Sequence, residues 1–566
     1  MSSFLLGPIY EPPTGLLTSS VLNAWSSNLS QTLTQVLQSG HSEFGEFEAN
    51  TSSISVTIVS TRDDENTPFF DFHYSSPFLN HSAGGTDHVT KHSVYRIGSI
   101  SKLVTAYTLL AGYGRESWNQ PVTRYIPELR KAALSDTRQP IEDAYWDKIT
   151  VGAMASQLSG IGRDYANGDL ANQNFPWKEA GLPELPPNDI PDCGIDSGFP
   201  PCSRQEFFKG ALQRHPVFAP QTTPVYSNLG FRILGYVLEA MGGTSYSALV
   251  QSKVLGPLGL TDTSATLPPN RGSWVIPPGN ETGFHYNYGE ETPTAGIYSS
   301  SDNLARLGRS ILLNRQLSDL DTRRWMKPTS HTSSLFESVG SPWEIWRTKS
   351  QITSGRVVDL YTKSGSVGQY NAMLILLPDY GVSLSILVAG SGPAINIATE
   401  IVLQSLIPVL ENVTISEACD KLCGTYETSL PNTNSSITIA ADAIGLHVDR
   451  WINRGVDIKA FVNAYAVGTG SQPVQAVRIQ ATNLQDSGDT AQGGRRVAYR
   501  ISFDMSSEDS DGPPRILDPN AGQWGVTDSP LYGGIGVDDF VVHFDANGTA
   551  VMIEPRVVRD TLHRSN

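Results

Sequence analysis

Apolar positions change period several times along this chain. Residues 1–50 are polar apart from a short amphipathic run near Val21–Leu37. Ile54, Val56 and Ile58 then alternate with Ser55 and Thr57, which is the period of a strand, and Phe69–Tyr74 reads as its hairpin partner. From Ser99 the spacing turns helical. Leu103, Val104, Tyr107, Leu109 and Leu110 leave almost no polar face, which predicts a buried helix ended by Gly112 and Gly114. Helical spacing returns at Asn228–Met241 and Asp302–Leu313. Two apolar runs, Tyr370–Pro378 and Val382–Ala389, flank Asp379-Tyr380-Gly381 and predict a hairpin in a well-buried sheet, with Ile395–Leu406 as the helix that covers it.

Two stretches depart from this pattern. Residues 163–205 hold Pro176, Pro183, Pro186, Pro187, Pro191, Pro200 and Pro201 with one cysteine pair, as expected of an extended, stapled loop inserted at the rim of a cleft. After Cys423 the runs shorten. Ile437–Ile439, Leu446–Val448, Val477–Ile479, Val497–Ile501 and Phe540–Phe544 read as strands between Asn, Asp and Gly, and Asp545–Gly548 turns Val541–Phe544 back onto Ala550–Ile553. The expected organisation is an N-terminal extension (1–50), an α+β domain with an antiparallel sheet flanked by helices (51–415, insertion 163–205), and a C-terminal all-β domain, a small barrel or sandwich (416–566).

A length of 566 residues agrees with two domains. The formal net charge of −16 argues against binding nucleic acid or anionic lipid, which need clustered Lys and Arg. No apolar stretch approaches the ~20 residues of a bilayer span. The four cysteines form two local pairs, Cys193 with Cys202 and Cys419 with Cys423, a spacing that suggests disulfides and a secretory history. It does not fit zinc, and no cluster of histidines accompanies it, so no metal is assigned. Seven sequons, at Asn28, Asn50, Asn80, Asn280, Asn412, Asn434 and Asn547, agree with secretion. Against it, Phe4-Leu5-Leu6 is too short for a signal peptide's apolar region and has no basic residues before it. Either a signal peptide is missing or a secreted ancestor has moved inside the cell.

Three short motifs carry candidate chemistry. Ser99-Ile100-Ser101-Lys102 opens the buried helix, so hydroxyl and ammonium share a face and the helix N-terminus favours negative charge at Ser99. Tyr226-Ser227-Asn228 lies at a loop-to-helix junction, where a phenol with cations beside it becomes a usable base. Lys363-Ser364-Gly365-Ser366 enters the buried strand pair. There Gly365 permits close approach to the backbone, and the N–H of Ser366 can join that of Ser99 as an oxyanion hole. Taken singly, each has an ordinary explanation: a helix start, a capping Asn, a turn. Their order, each on the element its chemistry needs, is what the ordinary explanations do not supply.

The wording around them resembles the serine β-lactamase and penicillin-binding-protein family, in its class C-like group of D-Ala carboxypeptidases, esterases and fungal transesterases. The matching segments include Tyr95–Lys102, Ser159–Ile161, Val225–Gly230, Leu255–Thr263, Ala295–Asp302 and the stretch from Lys363 to Gly390. The resemblance spans roughly residues 50–410. The cysteine-bearing insertion resembles fungal members, and from Gly424-Thr425-Tyr426 onward the chain looks like the β-barrel appended to some of them. It implies a β-lactamase/transpeptidase-like fold. It also implies Ser99 as nucleophile, Lys102 and Tyr226 as proton shuttles with Tyr226 favoured as base, and Asn228 holding Lys102 and the acyl group. Lys363 would tune Tyr226 and be available to a substrate carboxylate, with Ser364, where Thr is usual, and Gly365 beside the substrate.

No cofactor is implied, and the expected partner is a small ester or amide. Ala394–Ile401 on the last helix offers no cation, which argues against β-lactams as the natural substrate. Three readings follow: a hydrolase, an enzyme passing the acyl group to a small alcohol or amine in natural-product assembly, and an inactive binding protein of the same fold. A Ser-His-Asp hydrolase is disfavoured, because no G-x-S-x-G elbow is present.

Overall fold

The computed structural model describes residues 6–8, 10–64, 67–79, 84–135, 139–195, 199–280, 282–349, 356–468, 473–487, 494–504 and 523–565. An eight-stranded antiparallel sheet organises the first part of the chain. Its order is Phe70–Tyr74, Ser53–Ser60, Val382–Ala389, Tyr370–Leu377, Val357–Val367, Glu344–Lys349, Glu337–Val339 and Ser330–His331. The central strands are buried on both faces. Inward Ser55 and Thr57 are therefore bonded rather than solvated, Ser55 to Tyr95 at 3.0 Å and Thr57 to Ser301 at 2.8 Å.

Helices cover both faces. On one lie Ser20–Ser39 and Ala394–Leu422; on the other lie Ile100–Tyr113, Asn228–Gly242 and Ser301–Leu312. The amphipathic run expected near Val21–Leu37, inside the N-terminal extension, thus forms a full helix that packs into the core. Leu22, Trp25, Leu29, Leu33 and Leu37 form its buried stripe, each contributing ~1.5–3 kcal/mol of burial. Ser19 caps its start and Gly40, left-handed at φ 72°, ends it.

The last helix runs past its expected end at Leu406 to Leu422 with Pro408 inside it. A proline removes one backbone donor and usually ends a helix; here buried Leu406, Ile407 and Leu410 hold the turns on either side. This helix also amends the expectation that no segment is apolar enough to cross a bilayer. An 18-residue window has mean hydropathy 1.4, but 67% of it is buried inside the protein, as in a core helix.

The expected boundary at 415/416 falls within that helix, whose C-terminal end belongs to the second core through Ala418 and Leu422. Beyond it, strands follow in the order Ser436–Asp442, Gly424–Thr428, Leu562–Arg564, Ala550–Pro555, Asp539–Phe544, Arg495–Asp504, Ala476–Asp486 and Gly445–Asn453. The last pairs back with the first and closes an antiparallel barrel. Gly424–Thr428 and Leu562–Arg564 were not foreseen, and neither was the helix Ile458–Gly468. The first described residues strap the two parts together. Tyr10, 5% exposed, sits in the barrel core and accepts a hydrogen bond from the Leu446 N–H. Glu11 pairs with Arg495, and the Thr14 N–H donates to Glu417 at 2.7 Å.

Both cysteine pairs lie at disulfide distance, Cys193–Cys202 at 2.04 Å and Cys419–Cys423 at 2.06 Å between sulfurs. The sequon asparagines Asn28, Asn50, Asn280, Asn412, Asn434 and Asn547 are exposed, whereas Asn80 lies outside the described residues.

Candidate active site

Ser99 stands at the N-cap of the helix Ile100–Tyr113, entered through Gly98 at φ 51°. A short pairing of Val94–Arg96 with Tyr298–Ser300, extended by the Ile97 N–H to Ile297 O bond, draws the segment before residue 298 against this helix. Lys102, three residues on, is fully buried there. Its Nζ donates to Ser99 Oγ at 3.0 Å and to the Thr294 carbonyl at 2.9 Å.

The strand Val357–Val367 approaches the same turn backbone to backbone. A Cβ on Gly365 would fall 2.0 Å from the Ile97 carbonyl oxygen, and one on Gly98 would fall 2.4 Å from the Ser366 nitrogen. Only glycine fits at both positions. This double glycine contact sets the Ser366 amide beside the Ser99 turn.

Tyr226 is fixed from both sides by Gln157, which sits at φ 62°. The Val225 N–H donates to the Gln157 carbonyl and the Ser227 N–H to its side-chain oxygen, both at 2.8 Å. A residue other than glycine at positive φ is costly and marks a position that its surroundings over-determine. The ring so held lies among cations: Lys102 Nζ at 4.8 Å, Lys363 Nζ at 5.4 Å and Arg163 Cζ at 4.8 Å from its centroid. Buried tyrosines elsewhere, Tyr95, Tyr107 and Tyr246, are pushed up by desolvation. Burial pushes the Tyr226 phenol up too. The charges of Lys102 and then Lys363, with hydrogen bonds from Lys102 and Ser99, outweigh it and hold the phenol below its ordinary value.

The two lysines differ. Burial lowers Lys102 below the usual ammonium value, and Lys363 pushes the same way. Burial acts on Lys363 too, but Glu344 and Tyr226 overcome it and hold its ammonium charged. Glu344, on the neighbouring strand opposite Thr362, takes the Lys363 ammonium on one oxygen and the Ser364 N–H on the other at 2.8 Å. Lys363 also donates to the Ser364 carbonyl at 2.9 Å and is 1% exposed. With Tyr226 as a third hydrogen-bond partner the ammonium is engaged within the protein, and the expected role beside a substrate carboxylate would require one of these bonds to exchange.

Asn228 makes a contact that was not expected. Its amide nitrogen donates to Asp164 at 2.8 Å, and the carbonyl of Thr294 holds Lys102. Asp164 belongs to the Pro-rich insertion, which does rim the cleft. Arg163, Asp164, Asn167, Gly168 and Ile195 line a space of about 740 Å³ together with Ser99, Tyr226, Asn228, Ser364, Gly365 and Ser366. The insertion is anchored behind this wall. Buried Arg232 donates to the Cys202 carbonyl and to Glu291 at 2.8 Å, and Asn167 donates to the other oxygen of Glu291. Thr294 in turn donates to the Glu291 carbonyl at 2.7 Å, so the residue that holds Lys102 shares its anchor with the insertion.

Gln157, Glu344, Thr294, Asp164 and Glu291 were not singled out from the sequence. Glu344, a lone acid within Trp343-Glu344-Ile345-Trp346 at the head of the strand Glu344–Lys349, was the one local signal, since an acid in an apolar run asks for a cation.

Two family models match the chain. "Beta-lactamase" covers residues 72–404, and "Beta-lactamase-like-like, C-terminal domain" covers residues 414–566. A protein of Arthroderma benhamiae named "Beta-lactamase-like protein" is 28% identical over 96% of this chain and 93% of its own length. One of Phoma sp. named "Probable hydrolase M10" is 23% identical over 76% of this chain and 71% of its own. Among solved structures, a class C beta-lactamase aligns with 68% of this chain and 97% of its own at TM-score 0.47 and 16% identity. A D-stereospecific amidohydrolase from Streptomyces sp. aligns with 67% of this chain and 97% of its own at TM-score 0.46 and 18% identity.

Proposed function

We propose, on the premise that this chain belongs to the beta-lactamase family, that it is a hydrolase cleaving an ester or amide through an acyl-enzyme on Ser99. The observation that carries this reading is the placement of Ser99 Oγ against the Lys102 ammonium at 3.0 Å and against a Tyr226 phenol held below its ordinary value by two buried ammonium groups. Tyr226, ionised, takes the Ser99 proton as Oγ bonds to the substrate carbonyl carbon. The oxyanion that forms is received by the N–H groups of Ser99 and Ser366; one such donor contributes ~3–4 kcal/mol in comparable sites. Tyr226 returns the proton to the leaving oxygen or nitrogen as its bond to the acyl carbon breaks. Water repeats the cycle: it loses a proton to Tyr226 as it bonds to the acyl carbon, and Tyr226 returns that proton to Ser99 Oγ as the acyl–oxygen bond breaks and the acid leaves. Lys102 and Lys363 stay cationic throughout and stabilise the phenolate. A relative named as a hydrolase supports water as the acceptor.

The test is covalent labelling with a fluorophosphonate probe followed by peptide mass spectrometry, alongside Ser99→Ala. The label is expected on the peptide that holds Ser99 and absent from the variant. Modification of another serine with Ser99 untouched overturns the assignment.

A further inference from the structure

Lys102 and Lys363, the two lysines of the motifs, are 0% and 1% exposed and already donate to protein oxygens. Neither offers a donor to a substrate's charge without exchanging one of these bonds. From the last helix, Ile395 and Asn396 reach the cleft and bring no cation. Among the described residues that line the cleft, Arg163 is the only basic one.

Arg163 is also the charged group there with the least compensation. Its side chain is 67% exposed, and its ion-pair contact with Asp164 is long, at 3.8 Å. The same Asp164 oxygen accepts the Asn228 amide at 2.8 Å. The other lining carboxylate, Glu291, is occupied by Arg232 at 2.8 Å and by Asn167. The guanidinium stacks over the Tyr226 ring, 4.8 Å from its centroid, and the Arg163 carbonyl accepts the Leu229 N–H at 3.0 Å. Both ends of the residue are therefore tied to the segment that carries Tyr226 and Asn228. Its side chain, 67% exposed and part of the cleft lining, brings to that space the planar fork with which arginine takes a carboxylate on two parallel N–H bonds.

We infer that Arg163 is a specificity-determining residue that receives a carboxylate of the substrate, so that the esters or amides this site prefers are anionic ones. The inference rests on the serine hydrolase reading above, and it places the anion receptor on the insertion side of the cleft.

Three esters test it on the full chain: neutral p-nitrophenyl butyrate, mono-p-nitrophenyl glutarate with its charge on the acyl group, and 3-acetoxybenzoate with its charge on the leaving group. The readout is the ratio of kcat/KM for each anionic ester to that for the neutral one. Wild type is expected to favour one anionic ester by about 10- to 100-fold, the range of a hydrogen bond between charged groups. That preference should shrink as salt is raised from 0.02 to 0.5 M. Arg163→Gln should abolish the preference through KM, and Arg163→Lys should keep part of it. Because the readout is a ratio, partial misfolding of a variant cancels, and the salt series needs no variant. No preference for either anionic ester in wild type, or an unchanged ratio in Arg163→Gln, overturns the inference. Turnover that persists in Ser99→Ala overturns the serine reading instead.

Discussion

The Glu344 carboxylate clamps the Lys363 ammonium from the adjacent strand and accepts the Ser364 N–H on its other oxygen. Glu344 is the group that keeps a fully buried lysine charged beside Tyr226. Its effect on the chemistry is therefore indirect, through Lys363, and shows as a pH shift. Glu344→Gln leaves burial to lower Lys363, so the Tyr226 phenol loses part of the charge that holds it down. The base must be ionised to act, so kcat/KM rises with pH through the phenol's titration. That limb should move to higher pH in the variant, with kcat/KM at neutral pH falling about tenfold per unit of displacement. Glu344→Asp should recover part of it. A limb that stays in place while the melting temperature drops would mean that Glu344 serves folding alone.

Glu291 supplies a second pH signature, in stability. Desolvation pushes its carboxyl to about 7 against an ordinary 4.5, even with Arg232 at 2.8 Å. A carboxyl raised on folding contributes stability that is present in full below its unfolded value and is lost as pH rises through the folded one. Wild type should therefore lose of order 2–3 kcal/mol relative to Glu291→Gln between pH 5 and pH 8. Thermal melts of both proteins across that range measure it. A constant difference between them would show that the Arg232 pair keeps Glu291 ionised throughout.

The motifs of the candidate site were more legible in the sequence than the groups that support them. Ser99 and Lys102, and the elements carrying Tyr226 and Lys363, follow from local spacing, because a turn of helix or a strand entry fixes which side chains share a face. Glu344 reaches Lys363 across a strand pairing whose register no local pattern reveals. Thr294 holds Lys102 with a backbone carbonyl, which any residue possesses. The Asp164 partner of Asn228 was not foreseen because it lies 64 positions away in the sequence. In the fold, Pro408 concealed the length of the last helix, since a proline reads as a stop unless tertiary packing overrides it. The stripe of Leu22, Trp25, Leu29, Leu33 and Leu37 was legible as an amphipathic run, but its packing against the sheet was not, because helical spacing marks a buried face without naming what covers it. The barrel strand Leu562–Arg564 is short, with one buried position, and carries no periodic signal.

The N-terminal strap gives a prediction about how the two parts hold together. Tyr10 fills a place in the barrel core, and its hydroxyl serves the Leu446 N–H. Tyr10→Ala should cost ~3–5 kcal/mol as a large-to-small core change. Tyr10→Phe, which keeps the ring but strands a buried N–H, should cost ~1–3 kcal/mol. Chemical denaturation followed by tryptophan fluorescence reports both, with Trp451 in the barrel core as one probe. Changes within ~0.5 kcal/mol, as at ordinary surface positions, would show that the segment is an appendage.

The proton-transfer roles separate in single-turnover kinetics with an activated p-nitrophenyl ester, after melts confirm that each variant folds. Tyr226→Phe keeps the ring between its cations and removes the oxygen that accepts the proton. Acylation and deacylation should both slow by ~10²–10⁴-fold, the range for loss of a general base. Lys102 makes a sharper case than its motif suggested. It is fully buried, and its ammonium divides between Ser99 Oγ at 3.0 Å and the Thr294 carbonyl at 2.9 Å. A guanidinium retains the charge but is planar and wider, and it does not fit a site built around one nitrogen. Lys102→Arg should therefore damage acylation through displacement of Ser99, even though charge is conserved. Lys102→Met removes the charge without the bulk and should move the rising limb of the pH profile to higher pH, because Lys102 is the largest charge lowering the Tyr226 phenol. If Tyr226→Phe acylates at near wild-type rate while Lys102→Met no longer acylates, the base has been misassigned and Lys102 takes that role.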